Sequence, residues 1–146
     1  MISFDTSVLF PALEASHSQH ARARNFLETL SAGDVAICEL VLMEVYVIVR
    51  NPATARLPLG AREAAHLIHT LRTNPAWRLV DYPGGLMDAV WKAAGAPGFP
   101  RRRLFDARLG YTLLHHGVTE FATANVKDFQ GLGFRRVFNP LESVSP

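Results

Sequence analysis

Four acidic residues, Asp5, Glu44, Asp106 and Asp128, are the side chains of this 146-residue sequence best placed to do chemistry. Glu44 carries the strongest signal. It lies within Leu40-Val41-Leu42-Met43-Glu44-Val45-Tyr46-Val47-Ile48-Val49, and at helical spacing its neighbours are Leu40, Val41, Val47 and Ile48. That face is expected to be shielded from open water, where a carboxylate is costly unless protonated, paired with an arginine or bound to a cation. Asp5 follows the apolar run Ile2–Phe4, a position that suits a helix N-cap as well as a catalytic acid. Asp106 falls early in a helix, where a negative charge complements the helix dipole. Asp128 closes the polar stretch Thr123-Ala124-Asn125-Val126-Lys127-Asp128, which also has the composition of a turn. Singly, each of these three has a structural explanation. Together the four are hard oxygen donors with no sulfur among them, the ligand type that selects Mg2+ or Mn2+. A cation so held makes a nucleophile of water and neutralises charge developing on a phosphodiester, so metal-dependent phosphodiester hydrolysis is the expected chemistry.

The elements that must position these acids follow from periodicity and breakers. Short β-branched or apolar runs at Ile2–Phe4, Val35–Cys38, Trp77–Val80, Glu120–Ala122 and 134–137 read as strands. Helical spacing covers 6–15, 20–30, 39–50, 61–71, Leu86–Ala94 and 104–116, with Thr6 and Ser7 as capping hydroxyls, Asn51-Pro52 and Gly117 as stops, and 95–100 as a breaker-rich loop. Strands alternating with helices predict a three-layer α/β/α sandwich around a central, mainly parallel sheet, as one domain over residues 1–146. In such folds ligands bind at the carboxyl ends of the strands, and each of the four acids sits near that end of a different element.

These residues resemble a known family. Phe4-Asp5-Thr6-Ser7-Val8-Leu9, Val41-Leu42-Met43-Glu44-Val45-Tyr46, Phe105-Asp106-Ala107-Arg108-Leu109 with His116-Gly117, and Phe121-Ala122-Thr123-Ala124-Asn125-Val126-Lys127-Asp128-Phe129 follow the order and spacing of PIN-domain ribonucleases. In its small single-domain form the chain looks like the VapC toxins of bacterial toxin–antitoxin pairs. The resemblance implies an endoribonuclease dependent on Mg2+ or Mn2+, with an acidic centre at Asp5, Glu44 and Asp106. It further implies a cognate antitoxin encoded nearby and a toxin homodimer, and it sets Thr6 and Thr123 beside the acids. Asn125 occupies the place of a fourth acid of many relatives, with Asp128 three residues later. An amide oxygen also ligates a hard cation. Gly110 stands where relatives carry a small alanine and reads as helix packing.

Composition narrows the alternatives. Fifteen Lys and Arg against thirteen Asp and Glu give a net charge of +2, too little to recruit nucleic acid by bulk field, so RNA contact must be local. Arg101, Arg102, Arg103 and Lys127, with Arg135 and Arg136, are candidates for phosphate contact, while Phe99, Phe105, Phe129 and Phe134 read as core. The single Cys38 excludes an internal disulfide and a multi-cysteine zinc site, and it reads as buried and inert. The acidic start and the lack of an 18-residue apolar run give an expectation of a cytoplasmic protein without a membrane span. His17/His20, His66/His69 and His115/His116 lack the glutamate of a metalloprotease helix. Ser7 occupies the place of the second acid of a phosphoaspartate phosphatase, and neither a dinucleotide nor a P-loop glycine motif occurs. The rival to the enzyme is a non-catalytic PIN-like module that binds a protein or RNA partner.

Overall fold

A computed structural model describes residues 1–143. Its elements run β1 (Ile2–Phe4), α1 (Thr6–Leu13), α2 (His20–Glu28), β2 (Val35–Cys38), α3 (Glu39–Val49), α4 (Ala61–Arg72), β3 (Trp77–Val80) and α5 (Leu86–Ala94). A 3-10 turn (Arg101–Arg103), α6 (Leu104–His115), β4 (Glu120–Ala122), α7 (Val126–Phe129) and β5 (Arg136–Phe138) complete them. The strands form one sheet in the order β3-β2-β1-β4-β5, every adjacent pair parallel. Ile2 faces Val35 on one side and Glu120 on the other, and Phe4 faces Ala122. The chain winds outward from β1 through β2 to β3, then returns to pair β4 with the opposite edge of β1. The order of winding therefore reverses between β1 and β4, and a crevice opens beyond their carboxyl ends.

Burial explains why these sequences form these elements. All four residues of β2 are at most 1% exposed, as a strand covered on both faces requires. Helix α3 buries Leu40, Val41, Leu42, Val45 and Val49, and packs against α1 and α4; α5 packs on α6. Phe121 stacks on Phe134 with ring centroids 5.3 Å apart and tilts against Phe129 at 4.6 Å. Each such buried aromatic contributes about 1.5–3 kcal/mol of transfer free energy. Gly110 meets this group from α6, where an added Cβ would lie 2.6 Å from Leu132 Cδ1, so the packing role expected of it holds.

Four departures from the sequence expectation stand out. Helix α1 stops at Leu13 and not at 15, because Glu14 takes an extended backbone with φ −98° and ψ 99°. The last strand occupies Arg136–Phe138 and not 134–137, since Phe134 is used before the strand to stack on Phe121. A single turn of helix, α7, forms inside the stretch expected to be a loop, and the Arg101–Arg103 turn precedes α6. No helix among the described residues is long and apolar enough to cross a membrane.

Candidate active site

At the crevice beyond β1 and β4, Asp5 turns the chain from strand to helix. It is the N-cap of α1, with Oδ1 accepting from Ser7 N at 3.1 Å and from Ser7 Oγ at 2.5 Å. Its Oδ2 accepts from Thr123 Oγ1 at 2.7 Å, just past the end of β4. The N-cap expectation and the site expectation therefore describe the same side chain. The loop after β4 is tied down in return: Ala124 N donates to Ser7 Oγ at 2.8 Å, and Asn125 N donates to Thr123 Oγ1 at 3.0 Å. Ser7 was legible only as a capping hydroxyl; the Asp-x-Ser spacing at a helix start is the signal that links it to Asp5. Asn125 takes part through its backbone.

Glu44 reaches the same place from α3. Thr6 Oγ1 donates to Glu44 Oε2 at 2.7 Å, so adjacent residues at the end of β1 secure two acids from different elements. The expected shielding of its helix face is only half realised. Leu40 and Val41 are buried, but Met43 and Val47 are 61% and 63% exposed, because no described element covers that side of α3. Glu44 has no arginine partner among the described residues, and none of the ion pairs there involves Asp5, Asp106 or Asp128 either. Asp106 lies in the first turn of α6 and Asp128 in that of α7.

The electrostatics couple Asp5 to Glu44, and Asp106 to Asp128 and Asp5. Burial, above all, pushes the Asp5 carboxyl up from its ordinary 3.8; the hydrogen bonds from Ser7 and Thr123 pull it back in part, and the Glu44 charge pushes it further up. Asp106 is raised first by burial, then by the charges of Asp128 and Asp5, against the opposing pull of Arg103 and Arg102. The centre thus gathers like charge that its own cations do not offset. Among the described residues no three His, Cys, Asp or Glu side chains stand close enough to hold one ion by direct coordination. A small hard cation still suits this donor set, because such ions retain several waters and take only one or two protein carboxylates directly.

The remaining candidates divide by place. Arg101 and Arg102 are exposed beside Asp106, and Lys127 is exposed on α7. Arg103 donates to the Asp128 carbonyl, so it braces the site whatever else it touches. Arg135 and Arg136 both pair with Glu120 at the amino ends of β4 and β5, the end of the sheet away from the acids, which removes them from the phosphate-contact set. Of the aromatics expected in the core, Phe129 is 1% exposed and Phe134 is partly buried against the core, but Phe105 is 61% exposed, turned outward beside Asp106. Two cavities flank the Thr6–Glu44 hydrogen bond. One of about 430 Å3 includes Thr6, Ser7, His17, Gln19 and Thr54 in its lining, and one of about 400 Å3 is lined by Leu40, Met43, Glu44, Val47, Ile48 and Phe105.

Comparison with known proteins gives concordant results. The family model described as PIN domain matches residues 2–134. Ribonuclease VapC24 of Mycobacterium tuberculosis is 46% identical over 144 residues, covering 98% of this chain and 99% of that protein. Among solved structures, Mycobacterium tuberculosis VapC20, a sarcin-ricin loop cleaving toxin, superposes with a TM-score of 0.72 at 19% identity, covering 92% of this chain and 96% of its own. FitAcB from Neisseria gonorrhoeae superposes with a TM-score of 0.66 at 21% identity, covering 98% and 100%. A toxin–antitoxin complex from Klebsiella pneumoniae gives a TM-score of 0.65 at 20% identity, covering 98% and 100%.

Proposed function

The chain belongs to the PIN domain family, and from that premise we propose that it is an endoribonuclease toxin of a VapBC-type toxin–antitoxin pair, one catalytic domain over residues 1–146. The observation that carries the reading is that Asp5 and Glu44, from different elements, are held at the β1–β4 crevice by the hydroxyls of Ser7, Thr123 and Thr6, with no arginine paired to either among the described residues. Asp5, Glu44, Asp106 and Asp128 are the proposed catalytic acids, with Asp5, Glu44 and Asp106 as the residues that would hold Mg2+ or Mn2+. A divalent ion bound there supplies Lewis-acid polarisation of the phosphate and an acidified water.

The chain's own residues set the geometry. Ser7 takes both lone-pair directions of Asp5 Oδ1 through its N–H and its hydroxyl, Thr123 takes one on Oδ2 and leaves the other for a ligand, and Thr6 orients Glu44 through Oε2. Thr6, Thr123 and Asn125 are therefore positioning residues. Arg101, Arg102 and Lys127, all exposed, would hold RNA phosphates near the acids, with Arg103 shared between that task and the Asp128 carbonyl.

Partners follow from the family. The 46% identity to a VapC ribonuclease over 98% of this chain and a fold shared with a chain of a toxin–antitoxin complex support a cognate antitoxin encoded nearby, RNA as substrate, a toxin homodimer and a cytoplasmic site of action. The test is cleavage of total RNA by the purified protein with Mg2+, with Mn2+ or with chelator, and growth on expression with and without the neighbouring gene product. Divalent-dependent cleavage lost in Asp5→Asn, with toxicity relieved by the neighbour, is expected. RNA binding without cleavage, indifferent to both divalent ion and Asp5, would establish the non-catalytic module instead.

A further inference from the structure

Phe105 is an aromatic ring that the fold spends at the surface. It is 61% exposed in the first turn of α6 and immediately precedes Asp106. Opposite it, across a cavity of about 400 Å3, stand Met43 and Val47 of α3, themselves 61% and 63% exposed, with Glu44 in the same lining. Cavities of this size lie within the range that small planar ligands occupy. The cavity opens between unlike neighbours. Arg101 and Arg102, in the 3-10 turn just before α6, are exposed and form no ion pair among the described residues, while the Glu44 carboxylate is part of the lining.

Taking the ribonuclease reading as its basis, we propose that Phe105, facing Met43 and Val47, is a stacking subsite for one unpaired nucleobase of the RNA, next to the scissile phosphate. Charge complementarity selects this occupant. A strand whose phosphate is drawn to the acidic centre through a cation carries its next phosphate toward Arg101 and Arg102. The base between those two phosphates then meets the Phe105 ring within one residue of Asp106. Stacking on an aromatic face accepts any base and holds it without sequence readout. Met43 and Val47 also border the groove between α3 and α4, so a protein helix is the competing occupant that the experiment must separate.

The probe is an unstructured, mixed-sequence oligoribonucleotide with a fluorescent end label, intact or with abasic positions throughout, titrated by anisotropy. Asp106→Asn serves as common background in every arm so that cleavage does not consume the probe. Phe105→Ala is expected to weaken binding of the intact probe about tenfold, Phe105→Trp to retain it, and Phe105→Ala to leave binding of the abasic probe unchanged. An unchanged affinity for intact RNA, or an equal loss with abasic RNA, overturns the subsite while the ribonuclease stands. Phe105→Ala that binds RNA normally but loses the neighbouring gene product assigns the face to protein and likewise overturns it. If the parental protein neither cleaves nor binds RNA, the ribonuclease reading fails and the subsite fails with it.

Discussion

Asp106 is half-buried among like charges, and that fixes the sign of what neutralising it does. Its carboxyl is raised above 3.8, so folding favours its protonated form. The stabilisation this gives is fully present below 3.8 and is lost as pH rises through the native value. At neutral pH the ionised group is therefore a burden on the fold. Asp106→Asn is expected to cut metal-dependent RNA cleavage by about 100-fold or more while leaving the metal-free melting temperature equal to or above that of the parent. A variant that keeps full cleavage, or melts well below the parent without metal, shows Asp106 to be a structural cap. Ser3 offers an independent check on the core: it is fully buried, and its Oγ has no hydrogen-bond partner among the described residues. Ser3→Ala is expected to raise stability by about 1 kcal/mol in urea unfolding. Cys38, 1% exposed and with its thiol pushed up to about 11 by burial, should resist thiol reagents in the native state and react only on unfolding. Asp5 and Glu44 were legible as candidates because one follows a strand and the other stands among apolar residues, whereas Asp106 and Asp128 were singled out only in company with them. Ser7 was not, since a hydroxyl two residues after Asp5 reads as a cap until the loop after β4 is seen to reach it. The outward turn of Phe105 was hidden for a related reason, because an aromatic in a helical pattern counts as core unless the missing neighbour is known.

At the scale of elements, β2, β3, α5 and β4 begin and end where breakers and β-branched runs put them, because local signals fix those boundaries. The stretch from Thr123 to Phe138 was less legible, because its conformation is decided by distant partners. Thr123 N donates to the Phe138 carbonyl at 2.9 Å, Thr123 Oγ1 turns to Asp5, and Phe134 is committed to Phe121. Thr123 is thus the stitch between the β4–α7 corner and the start of α1. Thr123→Val keeps the volume but removes the hydroxyl, leaving the buried Asp5 oxygen short of a donor at a cost of about 1–3 kcal/mol. The loss should be smaller under mildly acidic conditions, where a protonated Asp5 needs fewer donors. Equilibrium unfolding at two pH values measures it, and an equal loss at both would mean that the hydroxyl serves packing and not the carboxylate.

For the molecule as a whole, the reversal of strand order between β1 and β4 concentrates negative charge at one end of a chain whose net charge is +2. The two raised carboxyls, Asp5 and Asp106, make the centre a competition between protons and cations. The stabilisation by protons is fully present below 3.8 and is lost as pH rises through the native values, above which a divalent ion would take their place. Added Mg2+ or Mn2+ should therefore raise the melting temperature of the parent at neutral pH, raise it progressively less as pH falls toward 4, and raise that of Asp106→Asn less than the parent's throughout. The comparison is made at constant ionic strength, since general screening would also relieve carboxylate repulsion without any bound ion. A divalent effect matched by monovalent salt, or one that grows on acidification, would show that the crevice holds no cation, and the acids would then have to be explained as parts of the fold alone.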